Sequence, residues 1–151
     1  MRSPDPRACL LAALLLVSGC PGGGATAGGG GAGDRAAEVD KAAAESLAEA
    51  GKTCEAREWC RKEASMGFEV GTDVMLELAE EAYAAGATDV RVVGIEALGE
   101  RELSAAMVLT LPSIQADRAR LFEWYGKLCR ERLDETPPQD VGQRYFYLSL
   151  D

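Results

Sequence analysis

The chain has 151 residues, of which 47% are hydrophobic and 27% are charged, and a formal net charge of −9. These values are typical of a globular protein with at most one ordinary domain, and the acidic charge disfavours binding to nucleic acids. The sequence contains no histidine and no asparagine, which excludes Ser-His-Asp and Cys-His-Asn nucleophiles and removes the commonest ligand of transition metals. We therefore expect no metal and no other cofactor.

Residues 1–19 have the pattern of an export signal. Arg2 and Arg7 lie on either side of Asp5, and an uninterrupted apolar run follows from Ala8 to Val17. A membrane-spanning helix needs about 20 apolar residues, so this run is too short to be one. A charged start, a short apolar run and a site of small residues are typical of a secretory signal peptide. The alternative, a buried helix of the folded domain, would not need the glycine-rich segment that follows.

The four residues Val17-Ser18-Gly19-Cys20, at the end of this run, resemble the lipobox of bacterial lipoproteins. The resemblance implies that the signal peptide is cut between Gly19 and Cys20 and that the Cys20 thiol carries diacylglycerol, with acyl chains such as palmitate. Two or more acyl chains give stable membrane attachment. The resemblance also implies that the protein is located in the bacterial cell envelope. Pro21 stands where aspartate would hold an enteric-type lipoprotein in the inner membrane, which favours the outer membrane.

A glycine-rich segment separates this predicted anchor from the rest of the chain. Eight of the thirteen residues from Pro21 to Gly33 are glycine, and a chain of this kind behaves as a flexible coil that reaches about 20 Å. We therefore expect three parts. They are a signal peptide over residues 1–19, a lipidated cysteine with a flexible tether over residues 20–33, and a single globular domain over residues 34–151.

Helical periodicity dominates the first half of the predicted domain. We expect helices from Asp34 to about Ala50, from Cys54 to about Ser65, and from Thr72 or Asp73 to about Ala85. The inner face of the third helix consists of Val74, Met75, Leu78, Ala79 and Ala82. Gly51 and Gly86 follow the first and third helices as stop signals.

The apolar pattern then changes to that of strands. Asp89 to Glu96 and the alternating segment from Glu102 to Leu111 predict an antiparallel hairpin, with Gly99 between its strands. A long helix is expected from Ser113 to about Leu133, and its inner face consists of Leu121, Phe122, Tyr125, Leu128 and Cys129. Pro137-Pro138 breaks the chain after it. A final strand is expected from Tyr145 to Leu150, with Phe146, Leu148 and Leu150 facing inward.

These elements predict an α+β fold, in which a small antiparallel sheet, formed by the hairpin and the C-terminal strand, packs with helices. Two N-terminal helices precede this unit. If Phe68 to Val70 forms a short strand, the order of elements becomes β-α-β-β-α-β, which resembles the ferredoxin-like split βαβ arrangement. That arrangement hosts many functions, so it implies no activity.

Gly51-Lys52-Thr53 is similar to the end of a phosphate-binding loop. The first glycine of that motif is missing, because position 46 is serine, and a helix rather than a strand is expected before it. We therefore expect no nucleotide ligand.

Three cysteines remain after the predicted lipid anchor, in a compartment that permits disulfides. Cys60 and Cys129 lie on apolar faces of their predicted helices, which favours a bond between them. Cys54 and Cys60 would be about 9 Å apart along a continuous helix, beyond the roughly 7 Å that a disulfide allows, so that pairing needs a break in the helix. A reactive thiol is a further alternative, although no CxxC motif supports it.

Two other sets of side chains are candidates for a site. An acid–base pair of carboxylates would require two of them to face each other, and the acidic residues available are Glu80, Glu81, Glu96, Glu100, Glu102, Asp117 and Glu123. Trp124, Tyr145 and Tyr147 would form an aromatic binding surface, provided that no second helical layer covers the tyrosine side of the last strand.

The sequence thus favours a membrane-anchored lipoprotein with a non-catalytic domain that binds a protein partner or another component of the envelope. One alternative is a small envelope enzyme that uses carboxylates or a thiol. Another is an accessory in the assembly of a secretion or outer-membrane complex.

Overall fold

The computed structural model describes residues 32–150, so the predicted signal peptide, Cys20 and nearly all of the tether lie outside the described residues. The helices are α1 (Ala32–Ala48), α2 (Ala56–Cys60), α3 (Thr72–Ala85) and α4 (Gln115–Leu128), which continues into a π-helical turn (Cys129–Leu133). The strands are β1 (Thr53–Glu55), β2 (Ser65–Gly67), β3 (Asp89–Val93), β4 (Glu96–Leu98), β5 (Arg101–Ser104), β6 (Ala106–Thr110) and β7 (Tyr145–Ser149). Within this part of the chain, no helix is long and apolar enough to span a bilayer.

The strands form two sheets. The large sheet has the order β1-β3-β6-β7, with every neighbouring pair antiparallel, and the small sheet has the order β2-β5-β4, with β2 parallel to β5. An antiparallel four-stranded sheet packed against helices confirms the predicted α+β fold class.

The ferredoxin-like arrangement is not formed. A split βαβ unit places a further strand between the two strands that its helix connects. In this chain α4 connects β6 and β7, which are immediate neighbours in the sheet and antiparallel. Phe68 to Val70 is not a strand, and the nearby β2 belongs to the small sheet.

The second predicted helix is shorter than expected at both ends, because its first residues form a strand and its last predicted residue, Ser65, begins β2. Cys54 pairs with Val92 of β3, and α2 begins only at Ala56. The Glu55 side chain caps α2 by accepting a hydrogen bond from the Glu58 amide at 2.9 Å.

The predicted strand from Glu102 to Leu111 is divided between the two sheets at Ala105. The buried Ser104 hydroxyl donates to the Val93 carbonyl at 2.7 Å and accepts from the Ala106 amide at 3.3 Å. These bonds satisfy the backbone where the chain leaves the small sheet and enters the large one.

Helices cover both faces of the large sheet. The main core lies on one face, where α2, α3 and α4 bury Trp59, Met75 and Leu121 against alternate residues of the strands. On the opposite face α1 packs alone, with Ala43 fully buried against Val93 and Val108. The position of α1 determines how much of that face, including Tyr145 and Tyr147, solvent can reach.

Candidate functional site: an edge cavity beside the last strand

A cavity of about 700 Å³ lies beside β7. Its walls come from Arg35, Ala36 and Val39 of α1, from residues 135–139 of the segment that precedes β7, and from Tyr145–Tyr147. Successive strand residues point to opposite faces of a sheet, so a cavity lined by three in a row lies at the sheet's edge. We call this space the edge cavity.

Asp40 fixes the α1 wall of the edge cavity. Its carboxylate accepts hydrogen bonds from the backbone amides of Arg144 at 2.9 Å and Tyr145 at 3.0 Å. A side chain of α1 thereby holds the backbone where β7 begins, across 104 positions of sequence. Hydrogen bonds to a charged carboxylate are among the stronger ones in proteins, so this contact positions α1 on the sheet.

Tyr125 of α4 forms the inner end of the cavity. Its ring stacks on Phe146 with 4.1 Å between centroids, and its hydroxyl donates to the Tyr147 carbonyl at 3.2 Å. Burial raises the pKa of Tyr125 well above its usual value, so the hydroxyl stays protonated and remains a donor.

Arg118 holds the segment that forms the outer wall. Its guanidinium binds both carboxylate oxygens of Asp140 at 2.7 to 3.0 Å and donates to the Gln143 carbonyl at 2.7 Å. The Arg118 guanidinium lowers the pKa of Asp140. The buried Gln143 side chain in turn accepts from the Val141 amide and donates to the Gln139 carbonyl. The wall is therefore held by paired side chains rather than left as an unsupported loop.

The structure brings together two of the three aromatic residues that the sequence proposed as a binding surface. Tyr145 and Tyr147 line the edge cavity and are half-buried beneath α1, so the helical layer considered as the alternative does cover part of them. Trp124 lies on the opposite side of the sheet, where its indole N–H donates to the Glu81 carboxylate at 3.0 Å. Trp124 is thus a contact between α3 and α4.

The site also contains residues that the sequence did not single out as functional. The sequence places Tyr125 only on the core face of its predicted helix, and it indicates no role for Arg118, Asp140 or Gln143. The Pro137-Pro138 pair predicts a break in the chain, but no local pattern shows which helix the following segment contacts.

The predicted disulfide between Cys60 and Cys129 is not present, since Cys54, Cys60 and Cys129 are all free thiols in the described part of the chain. Burial raises the pKa of Cys60 to about 11 and also raises the pKa of Cys129. Because the thiolate is the reactive form of cysteine, these two buried thiols are poor nucleophiles at neutral pH.

The raised pKa of Cys60 predicts a loss of stability in alkali. A group with a higher pKa in the folded state contributes stability that is complete below its ordinary pKa, here 9.0, and is lost as the pH rises through the folded value. We expect the free energy of unfolding, measured in urea, to fall between pH 9 and about 11, and to fall less steeply in Cys60→Ala. Equal slopes in the two proteins would contradict the assignment to Cys60.

Several candidate carboxylates have structural partners instead of facing one another. Glu80 pairs with Arg57 at 2.6 Å, Glu102 with Lys62 at 3.7 Å and Asp117 with Arg120 at 2.7 Å. Among residues 32–150 there is no cluster of three or more acidic or thiol side chains that could hold a metal ion.

Comparisons with known protein families, with curated proteins and with solved structures give no match for this chain. Its candidate site therefore rests on geometry alone. Tyrosine rings, a strand edge and fixed walls make the edge cavity the candidate binding site of the described residues.

Proposed function

We propose that this protein is a lipid-anchored binding module of the bacterial cell envelope, in which the edge cavity receives a protein partner. The anchor rests on Val17-Ser18-Gly19-Cys20, and the binding role rests on the edge cavity. The cavity is the single observation that carries the proposal, because its walls are held in place before any partner arrives. Preformed walls reduce the entropy that binding must overcome.

The chemistry of the cavity favours binding over catalysis. Its lining combines tyrosine rings with Val39, Val141 and the prolines at positions 137 and 138, and its charged side chains are Arg35 and Glu135. Amphipathic aromatic rings beside aliphatic groups are typical of protein interfaces. The enzyme alternative loses support from two of the three described thiols, because burial raises the pKa of Cys60 and of Cys129.

The cavity lies at the end of the domain that follows the predicted anchor in sequence. Arg35 and Ala36, from the beginning of α1, line it, and Cys20 precedes Arg35 by 15 positions. A partner held there would be bound close to the membrane to which the anchor attaches the chain.

The anchor is tested by Cys20→Ala. We expect complete loss of membrane attachment, because the thiol that receives the lipid is missing, and accumulation of the uncut precursor. Fractionation, with mass spectrometry of the N-terminus, measures both, and Ser18→Ala serves as a control that keeps the thiol and a small residue. Unchanged attachment and cleavage in Cys20→Ala would contradict the anchor.

The binding role is tested by co-purification of the anchored protein in mild detergent. Val141 and Leu98 are both exposed apolar residues, at 42% and 59%, but only Val141 lines the edge cavity. We expect a protein partner at near-equal amounts with the wild type and with Leu98→Arg, and its loss with Val141→Arg. A partner that Val141→Arg retains would place binding elsewhere on the domain.

A further inference from the structure

The backbone of β7 alternates between the neighbouring strand and the edge cavity. The Leu111 amide donates to the Arg144 carbonyl at 2.9 Å, and the Leu150 amide donates to the Ala105 carbonyl at 2.7 Å. In an antiparallel ladder the hydrogen-bonded positions alternate, so Phe146 and Leu148 also bond to β6. The N–H and C=O groups of Tyr145 and Tyr147 therefore point away from β6, toward the open edge.

Two of these four outward groups are held by side chains of the domain itself. The Tyr145 N–H donates to Asp40 at 3.0 Å, and the Tyr147 C=O accepts from the Tyr125 hydroxyl at 3.2 Å. Exposed strand edges promote unwanted pairing unless something blocks them. Asp40 and Tyr125 thus hold two of the four outward groups of Tyr145 and Tyr147, and the other two are the Tyr145 C=O and the Tyr147 N–H.

This remaining pair has the geometry that a parallel strand requires. In a parallel ladder, every second residue of the added strand forms two hydrogen bonds to the neighbouring strand. Its N–H donates to the C=O of the residue that precedes the one directly opposite, and its C=O accepts from the N–H of the residue that follows the one directly opposite. A residue opposite Phe146 would thus bond to the Tyr145 C=O and the Tyr147 N–H. Deepening the proposed function, on which this step rests, we propose that the edge cavity binds an extended peptide segment of the partner by parallel β-strand addition to β7.

The same pattern disfavours antiparallel addition. An antiparallel strand would reach the two groups with two different residues. The residue opposite Tyr145 would then place its C=O against the Tyr145 N–H, which Asp40 already holds. The residue opposite Tyr147 would place its N–H against the Tyr147 C=O, which Tyr125 already holds. Two copies of this chain related by a two-fold axis would pair their β7 edges in this antiparallel way, so the same pattern disfavours a symmetric dimer through β7.

The walls specify the side chains of the added segment. Alternate residues of a strand point to opposite faces of the sheet. The two residues that flank the residue opposite Phe146 therefore point to the same face as Tyr145 and Tyr147, toward Val39 of α1. Apolar or aromatic residues suit these positions, since main-chain bonds supply affinity and pockets for alternate side chains supply specificity in strand addition.

The test uses the full-length chain in detergent micelles and a displayed library of random linear peptides. A selected peptide is resynthesised with N-methyl groups, one backbone position at a time. We expect a single N-methyl position to weaken binding about tenfold or more, because it removes the N–H that reaches the Tyr145 carbonyl. Amide exchange at Tyr147 should slow on binding. A spin label on the N-terminus of the peptide should broaden signals near Arg144, whereas one on its C-terminus should broaden signals near Leu150.

Two variants of the protein provide a second readout. The Tyr147 N–H points outward, where proline is tolerated in an edge strand, so Tyr147→Pro removes one of the two bonds to the peptide. Tyr147→Ala removes the ring but retains the N–H. We expect the loss of affinity in Tyr147→Pro to exceed that in Tyr147→Ala.

The outcomes separate strand addition from the broader binding role. Three results would each overturn strand addition. Binding could resist N-methylation at every backbone position of the peptide, a spin label on the peptide's N-terminus could broaden signals near Leu150, or the library could contain no binder. A partner that still depends on Val141 in co-purification would retain the proposed function in these cases. Loss of that dependence would remove both.

Discussion

Replacing Arg118 with glutamine will lower the free energy of unfolding by about 2–3 kcal/mol, because it removes one partner of a mostly buried charge pair. The Arg118 side chain is only 11% exposed. It holds both oxygens of Asp140 and the Gln143 carbonyl, and none of these bonds can be replaced in full by an amide. Urea unfolding followed by circular dichroism measures the change.

Arg120→Gln is the matched control, two positions along the same helix. Arg120 is bonded to Asp117 at the same 2.7 Å, but its side chain is 62% exposed, and exposed pairs contribute little to stability. We expect a change within about 0.5 kcal/mol for this variant. Equal losses in Arg118→Gln and Arg120→Gln would contradict the role given to Arg118 in holding the outer wall.

Acid adds a second readout for the same pair. Because Arg118 lowers the pKa of Asp140, the folded state favours the charged carboxylate. Its contribution to stability is therefore present above the ordinary pKa and is lost as the pH falls through the folded value. We expect the free energy of unfolding to fall less steeply in Arg118→Gln than in the wild type as the pH is lowered from the ordinary pKa of Asp140 through its folded value.

Replacing Ala43 with arginine will detach α1 from the large sheet. Ala43 is 0% exposed and packs against Val93 and Val108, so a long charged side chain fits there neither by volume nor by polarity. The cost of overpacking is about 1–3 kcal/mol. Since the main core lies on the other face of the sheet, the rest of the domain should remain folded.

Hydrogen exchange measures this detachment locally. The amides of Arg144 and Tyr145 are bonded to Asp40 of α1, so they should exchange faster in Ala43→Arg, while Leu109 in the sheet centre keeps its protection. The partner should also be lost, because α1 forms one wall of the edge cavity. Ala44→Arg, at the neighbouring exposed position, should change neither readout. Slow exchange at both amides in Ala43→Arg would show that α1 does not depend on this contact.

The elements that the sequence predicted well are those with a sustained period. The helix from Thr72 to Ala85 has its predicted bounds, and Met75, Leu78, Ala79 and Ala82 of its inner face are buried. In the last strand Phe146, Leu148 and Leu150 are buried as expected. In each case the apolar pattern repeats over enough positions to distinguish a helix from a strand.

Where the sequence failed, short segments or long-range contacts decide the structure. Three residues around Cys54 are too few to show a strand period, and only pairing with β3 makes them a strand. The division at Ala105 depends on the Ser104 hydroxyl, which the alternating pattern does not show. These misses share one cause, since hydrogen-bond partners distant in sequence overrode the local preference.

The edge cavity could not be predicted for the same reason. Its walls depend on Asp40 reaching Arg144, on Arg118 reaching Asp140 and on Tyr125 reaching Tyr147. No residue in these pairs has a local pattern that identifies its partner. The sequence could name Tyr145 and Tyr147 as aromatic neighbours on one side of a strand, but not the space that other elements enclose beside them.

The most direct test of the central claim is photo-cross-linking of the anchored protein in its own membrane. A photoreactive residue at position 141 lies on the wall of the edge cavity, and one at position 98 lies on the exposed β4 of the small sheet. We predict one discrete protein adduct from position 141 and none of that size from position 98. The same adduct from both positions, or an adduct from position 98 alone, would contradict binding at the edge cavity.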